Sequence, residues 1–314
     1  MRRLCALLLA FALPGLAQAL DYRLEPRQIA RDTWVLEGST DNFSQENGGN
    51  IVNIGFIVTD AGVVLIDTGP SRAYGEALRK AIAGVTEKPV IRAYITHHHP
   101  DHALGSQAFR DVAIAALPGT TRLLTDEGDA LAANMYRLVG DWMRGTEVVL
   151  PGQAVAEGVT EIGGHRLRLL SLRGHSGADL AILDETTGVL FAGDLLFYQR
   201  ALTTPHSPGL AVWQQDVDTL RALPWKVVVP GHGPVTEGPE PFEQTRDYLG
   251  WLDALLRAGV AAGADMNDLI GGTTFPERFS GISLKSYELV RSIRHLYPVY
   301  EREALARRDR AASP

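Results

Sequence analysis

The stretch Thr96-His97-His98-His99-Pro100-Asp101-His102 decides how this 314-residue chain is read. The β-branched and apolar run Val90 to Ile95 directly precedes it and predicts a strand, so the histidines fall on a strand-end loop. His97, His99, Asp101 and His102 offer imidazole nitrogens and carboxylate oxygens within one turn of chain, a donor set that suits zinc. So many donors so close together do not close easily around one ion, whereas two neighbouring ions can divide them. Without a metal, such a density of histidine and aspartate would repel or stay unsatisfied. His98 alternates with its neighbours, so it points away from them and is assigned a structural role.

Moving outward, three more residues share a context. Each ends an apolar run and is flanked by glycine: His175 in Gly174-His175-Ser176-Gly177, Asp194 in Phe191-Ala192-Gly193-Asp194, and His232 in Pro230-Gly231-His232-Gly233. Strand ends deliver side chains to one rim of a sheet, and glycine lets backbones approach closely. Asp67, in Leu65-Ile66-Asp67-Thr68-Gly69, closes another apolar run. By that context alone it reads as a strand-end cap.

The rest of the chain predicts β-rich segments with interspersed helices, twice over. Strands are expected at Thr33–Glu37, Ile51–Thr59, Val63–Ile66, Val90–Ile95 and Val112–Ala116, with helices at Tyr74–Ala83 and Thr120–Tyr136 and another opening over Ala103–Phe109. A second set of strands is expected at Glu147–Leu150, Ala154–Ile162, Arg166–Leu172, Leu180–Asp184, Val189–Ala192 and Lys226–Val229, with a helix at Trp213–Ala222. That pattern suits two sheets packed face to face with helices outside. Pro241–Ala262 and Leu284–Tyr300 carry long apolar stripes and are expected to pack as helices on the core. The expected organisation is a main domain over residues 20–235 and a helical C-terminal extension over 236–314 packed on it.

Arg2 and Arg3, the apolar run Leu4–Leu13, the break at Pro14-Gly15 and the small-x-small triplet Ala17-Gln18-Ala19 read as a cleaved signal peptide over residues 1–19. The apolar run is too short for a stable membrane span, and a periplasmic location is expected. Cys5 is the only cysteine and would leave with the signal, excluding a disulfide framework and cysteine chemistry. The formal charge is −7, with Lys and Arg scattered, which argues against a nucleic-acid partner and leaves a small-molecule substrate.

The His-x-His-x-Asp-His motif, followed in order by His175, Asp194 and His232, resembles the metallo-β-lactamase superfamily from about Thr33 to Gly233. The resemblance implies an α+β fold, a four-layer αββα sandwich with metals at one edge. It implies that His97, His99 and His175 hold a first zinc, that Asp101, His102 and His232 hold a second, and that Asp194 bridges the two. Asp101 would also act as catalytic acid or base, and water activated between the ions would attack a polarised carbonyl. Asp67 matches a family motif beside the site, which implies a residue that orients the ligands. The sequence departs from most class B β-lactamases, which carry cysteine or a non-acidic residue at the position of Asp194, and often a lysine at that of Phe197. Persulfide dioxygenases use one iron on the same fold, so metal identity stays open between zinc and iron.

Asp41-Asn42-Phe43, Glu46 to Val58 and Ile66 to Arg72 look like the quinoprotein relay system zinc metallohydrolases. That likeness implies an exported relative associated with quinoprotein dehydrogenases or c-type cytochromes. Two readings follow: an exported zinc hydrolase of a small carbonyl, ester, thioester or lactam-type compound, or a non-catalytic metal-binding accessory of a quinoprotein system. Substrate choice is expected to lie in loops such as Met135–Thr146 and Tyr198–Leu210.

Overall fold

The structure, a computed structural model, describes residues 20–312, so the signal segment expected at 1–19 lies outside the described residues. Two sheets face each other. The first has seven strands in chain order: β1 (Arg27–Ala30), β2 (Thr33–Leu36), β3 (Ile54–Thr59), β4 (Gly62–Ile66), β5 (Val90–Ile95), β6 (Ala113–Ala116) and β7 (Gln153–Ala154). The second has five, in the order β12 (Val227–His232), β11 (Val189–Phe197), β10 (Asp179–Asp184), β9 (His165–Leu172) and β8 (Gly158–Ile162). Helices α1 (Arg72–Ala83), α2 (Pro100–Ala103) and α3 (Pro118–Val139) belong to the first half. The second half carries α4 (Leu210–Arg221), α5 (Glu240–Ala262), α6 (Met266–Gly272) and α7 (Lys285–Ala312).

Three apolar clusters lie between four layers, and strand alternation sorts residues among them. Along β4, Val63 and Leu65 face α1 and α3, where they meet Tyr74, Leu78, Leu124 and Met135. Val64 and Ile66 face the other sheet, where they meet Leu167, Ile182, Phe191 and Val229. Along β10, Leu180 and Ile182 join that central cluster. Ala181 and Leu183 turn outward to Trp213 of α4, Leu249 and Leu252 of α5, and Ile293 of α7. A one-residue slip of either strand would exchange its two faces, so burying both faces pins the register. This is the four-layer αββα arrangement expected, with α5 and α7 packed on the outer face of the second sheet.

Four of the differences between the structure and the sequence reading have a plain cause; β1 and α6 were not expected at all. Glu147–Leu150 is not a strand: Val148 packs beside Gly128 of α3, and the free edge of β6 is taken by Gln153 and Ala154 instead. The run Ala154–Ile162 is split because it crosses from one sheet to the other, with Val155 buried between them. The helix expected over Ala103–Phe109 is a short α-turn, Pro100–Ala103, followed by a 3-10 turn, Leu104–Phe109. There Gly105 donates to the Gly69 carbonyl at 2.8 Å, and a Cβ on it would sit 1.9 Å from the Thr68 carbonyl oxygen. Finally, β11 and β12 run further than expected, so Asp194 lies inside its strand rather than after it.

Candidate metal centre

All seven predicted donors meet at one rim. His97, His99, His175 and Asp194 form one buried group, and Asp101, His102 and His232 form another; within each group the ligand atoms lie within 4.8 Å of one another. Asp194 touches both groups. Its Oδ2 is 3.4 Å from His175 Nε2 and 3.3 Å from His232 Nε2, while its Oδ1 is 3.1 Å from His102 Nε2. Asp101 Oδ2 lies 3.4 Å from His232 Nε2.

The compact half of the site is oriented by Asp67, which adopts a positive φ of 64° at the end of β4. One carboxylate oxygen accepts the Thr96 backbone N–H at 2.8 Å; the other accepts the Thr96 hydroxyl at 2.8 Å and lies 2.7 Å from His102 Nδ1. Thr96 Oγ1 in turn lies 3.1 Å from His97 Nδ1. With both Nδ1 atoms so engaged, the Nε2 atoms of His97 and His102 are left facing the centre. Asp67 thus sits at the end of β4 and reaches both Thr96 and His102, so a strand-end position and contact with two of the donors' neighbours coincide in one residue.

The dispersed half is placed by packing and close backbone approach. β11 and β12 pair in parallel with irregular register around Gly193, which re-aims Asp194 toward the rim. A Cβ on Gly231 would fall 1.9 Å from Asp194 Oδ1, so only glycine leaves room for this carboxylate. A Cβ on Gly174 would fall 2.4 Å from Trp213 Cα, and the Trp213 ring lies edge-on to His175. His232 Nδ1 donates to the Ile51 carbonyl at 2.6 Å, leaving Nε2 toward Asp101 and Asp194. Arg200 Nη1 lies 2.5 Å from the same Nδ1. Since that nitrogen's proton goes to Ile51, Arg200 is a buried neighbour of the ring and not its hydrogen-bond donor.

Two observations test whether a metal fits. His97 Nε2 is buried with no hydrogen-bond partner, and His102 Nε2 and Asp194 Oδ1, 3.1 Å apart, form no well-aligned hydrogen bond, a costly state that coordination would relieve. Burial also holds His97 and His99 well below the ordinary histidine range and His175 at about 3, so these rings are neutral, the form a metal requires. Burial would raise Asp194, but His232 and His102 beside it hold it well below the usual carboxylate range. Burial would lower His102, but Asp194 and Asp67 hold it well above its ordinary value, so the carboxylates draw a positive charge to this ring that a metal ion would supply in place of the proton. This donor set fits divalent metal.

Several contributors are absent from the sequence reading. Asn53 donates from Nδ2 to the Pro230 and Gly233 carbonyls at 2.9 and 2.7 Å, tying the loop before β3 to the end of β12. Arg200, Thr203 and His206, from the loop after β11, line the cavity over the donors, as does Leu138 near the end of α3. Of the two segments expected to govern substrate choice, Tyr198–Leu210 reaches the cavity as a loop, whereas Met135–Thr146 is not a loop but the end of α3 and a 3-10 turn, and reaches it through Leu138 of the helix. The C-terminal extension does too, because Tyr287 and Arg291 of α7 line the same cavity. Nothing in the local sequence of these residues marks them; only the tertiary arrangement brings them over the rim. Phe197, at the lysine position of many lactamases, is fully buried and stacks on His232 with ring centroids 5.2 Å apart.

The description metallo-beta-lactamase superfamily matches residues 47–232, more than half of the chain and the whole span of the donors. The chain belongs to that superfamily. It is similar to a linear primary-alkylsulfatase of Pseudomonas sp., 21% identical over 286 residues, covering 76% of this chain and 54% of that protein. It is also similar to an acyl-coenzyme A thioesterase of Gallus gallus, 27% identical over 173 residues, covering 48% of this chain and 59% of that protein. The chain thus spans little more than half the length of these relatives. Among solved structures, a metallo-beta-lactamase from Pontibacter korlensis aligns with TM-score 0.59 at 23% identity, covering 73% of this chain and 99% of that one. One from Hirschia baltica aligns with TM-score 0.57 at 20% identity, covering 72% and 97%. At such identities the likeness to these metallo-beta-lactamases shows the shared sandwich.

Proposed function

We propose that the protein is a dinuclear zinc hydrolase. The observation that carries this reading is the pair of buried donor groups joined by Asp194, with unpartnered nitrogens facing inward. His97, His99 and His175 would hold one ion and Asp101, His102 and His232 the other, with Asp194 between. Zinc bound there would supply Lewis acidity and make water nucleophilic near neutral pH.

The chain's own residues then bind substrate and handle protons. Asp101 lines the cavity and is the carboxylate placed to take a proton from the attacking water or return it to the leaving group. Arg200 and Arg291 lie on the cavity wall, Arg291 paired with Glu288 at 2.9 Å, and these two arginines against one buried glutamate support a substrate carrying negative charge. Phe43, Leu131, Leu138 and Tyr287 offer an apolar face for an acyl or alkyl body. The alkylsulfatase and thioesterase relatives agree with such an amphipathic, anionic ester or thioester. Export to the periplasm is supported by the signal-like residues 1–19, and association with a quinoprotein system by the resemblance around Asn42–Val58. Described helices do not include one long and apolar enough to cross a membrane.

Elemental analysis of the purified protein, with a panel of ester, thioester, lactone, β-lactam and alkyl sulfate substrates, tests this. The expected outcome is about two zinc ions per chain and turnover of at least one ester or thioester. Two zinc ions without turnover on any substrate would favour the accessory role. A single iron would favour dioxygenase chemistry.

A further inference from the structure

Of the two rings His97 and His99, one is oriented by Asp67 and Thr96, as described above. His99 is out of reach of that network, and its orientation has a different source. Its Nδ1 faces the donors, 2.9 Å from His175 Nε2. Its Nε2 lies 2.6 Å from Nδ1 of His206, which stands on the loop after β11. Beyond it, His206 Nε2 lies 3.4 Å from Oε2 of Glu127 on α3. The same Glu127 oxygen lies 3.6 Å from Nε2 of His98, a fully buried ring. A residue from the loop after β11 and one from α3 thus converge behind a donor that belongs to neither element.

Tautomer logic gives this chain of contacts a direction. A neutral His99 that offers Nδ1 to a metal carries its proton on Nε2 and must donate there. His206 Nδ1 is the acceptor at hand. A neutral His206 accepting at Nδ1 carries its own proton on Nε2, facing the Glu127 carboxylate. One assignment of protons satisfies every link. The reverse assignment, with His206 Nδ1 protonated, would require a bare Nε2 on His99 and a proton on the nitrogen that faces the donors.

We infer that His206, backed by Glu127, is a positioning residue for His99: it accepts the His99 Nε2 proton and so fixes Nδ1 as the nitrogen presented at the first donor group. The inference rests on the zinc reading. It gives His206 and Glu127 a role that no local sequence signal announces, and it makes the loop after β11 part of the metal centre as well as of the substrate cavity. Partners of this kind typically change metal affinity by about 10–100-fold when removed.

The test is zinc affinity at each site of the full-length mature protein, measured by chelator competition on the wild type, His206→Ala, His206→Asn and Glu127→Gln. His206→Ala is expected to lower first-site affinity by about 10–100-fold and leave the second site within a few-fold. His206→Asn places its Oδ1 where Nδ1 stood and is expected to restore most of the loss, which a purely space-filling role would not require. Glu127→Gln is expected to cost less than His206→Ala, again at the first site alone. In spectra of protein labelled with 15N at histidine, the zinc-loaded wild type is expected to show a hydrogen-bonded His99 Nε2 proton. That signal should shift or be lost in His206→Ala. Tight zinc in the wild type with unchanged first-site affinity in His206→Ala overturns the inference alone, as does His206→Asn behaving like His206→Ala. A wild type that binds no zinc overturns the metal reading and this inference together.

Discussion

The two halves of the metal rim are built by different means. The donors from β5 onward, His97 to His102, sit within one short loop and are aimed by side chains: Asp67 grips Thr96 and His102, and Thr96 reaches His97. His175 follows β9, Asp194 lies within β11 and His232 ends β12, and all three are aimed mainly by backbone geometry. Gly231 clears space for Asp194, Gly174 lets Trp213 close in beside His175, and the Ile51 carbonyl holds His232. A hydrogen-bonded side chain can be weakened in steps, because geometry survives when charge is lost. A site made by missing Cβ atoms fails at once when an atom is put back.

The largest expected effect follows from that contrast. Gly231→Ala places a methyl group where Asp194 Oδ1 now lies and close to the Gly193 backbone. Both metals are expected to be lost, with stability lowered by about 1–3 kcal/mol, the usual range for overpacking. Elemental analysis and denaturant unfolding of the metal-free protein check the two parts. Full zinc content in this variant would show that the dispersed half is not held by close backbone approach.

Next comes Asp194→Asn, which keeps shape and removes the charge shared by the two donor groups. Affinity is expected to fall at both sites together, by more than the ~10–100-fold typical of residues behind the ligands, with a large loss of turnover. Wild-type zinc content and activity in this variant would remove the bridging assignment. Asp67→Asn should do least. An amide can still accept from Thr96, so most metal is expected to remain, with affinity down by at most about 10–100-fold and chiefly at the second site, through His102. Equal losses at both sites would mean that Asp67 acts through Thr96 on His97 as strongly as it acts on His102 directly.

The same contrast explains what could be read in advance. The compact motif was legible because its chemistry is dense and local, and Asp67 because it matches a motif of the superfamily that the chain resembles. The dispersed donors were legible through repeated glycine context, although Asp194 proved to lie within β11, at a register irregularity that periodicity does not reveal. The strands buried on both faces were found as apolar runs. Glu147–Leu150 was misread because an apolar run reports burial, and Val148 achieves burial against α3 without pairing to a strand.

His206, Arg200, Asn53 and Arg291 were not legible, and the reason is physical. A lone histidine, arginine or asparagine in a loop or on a helix has no periodicity, and its partners lie far away in sequence: 107 residues separate His206 from His99, and 177 separate Asn53 from Pro230. By itself the sequence determined the donor types, their order and the alternation that sorts strands between three apolar layers, since those depend on local chemistry and a fixed two-residue period. Only the tertiary structure decided which nitrogen of each ring faces the centre and which side chains close over it. Those depend on contacts between loops and helices that meet only once both sheets have packed.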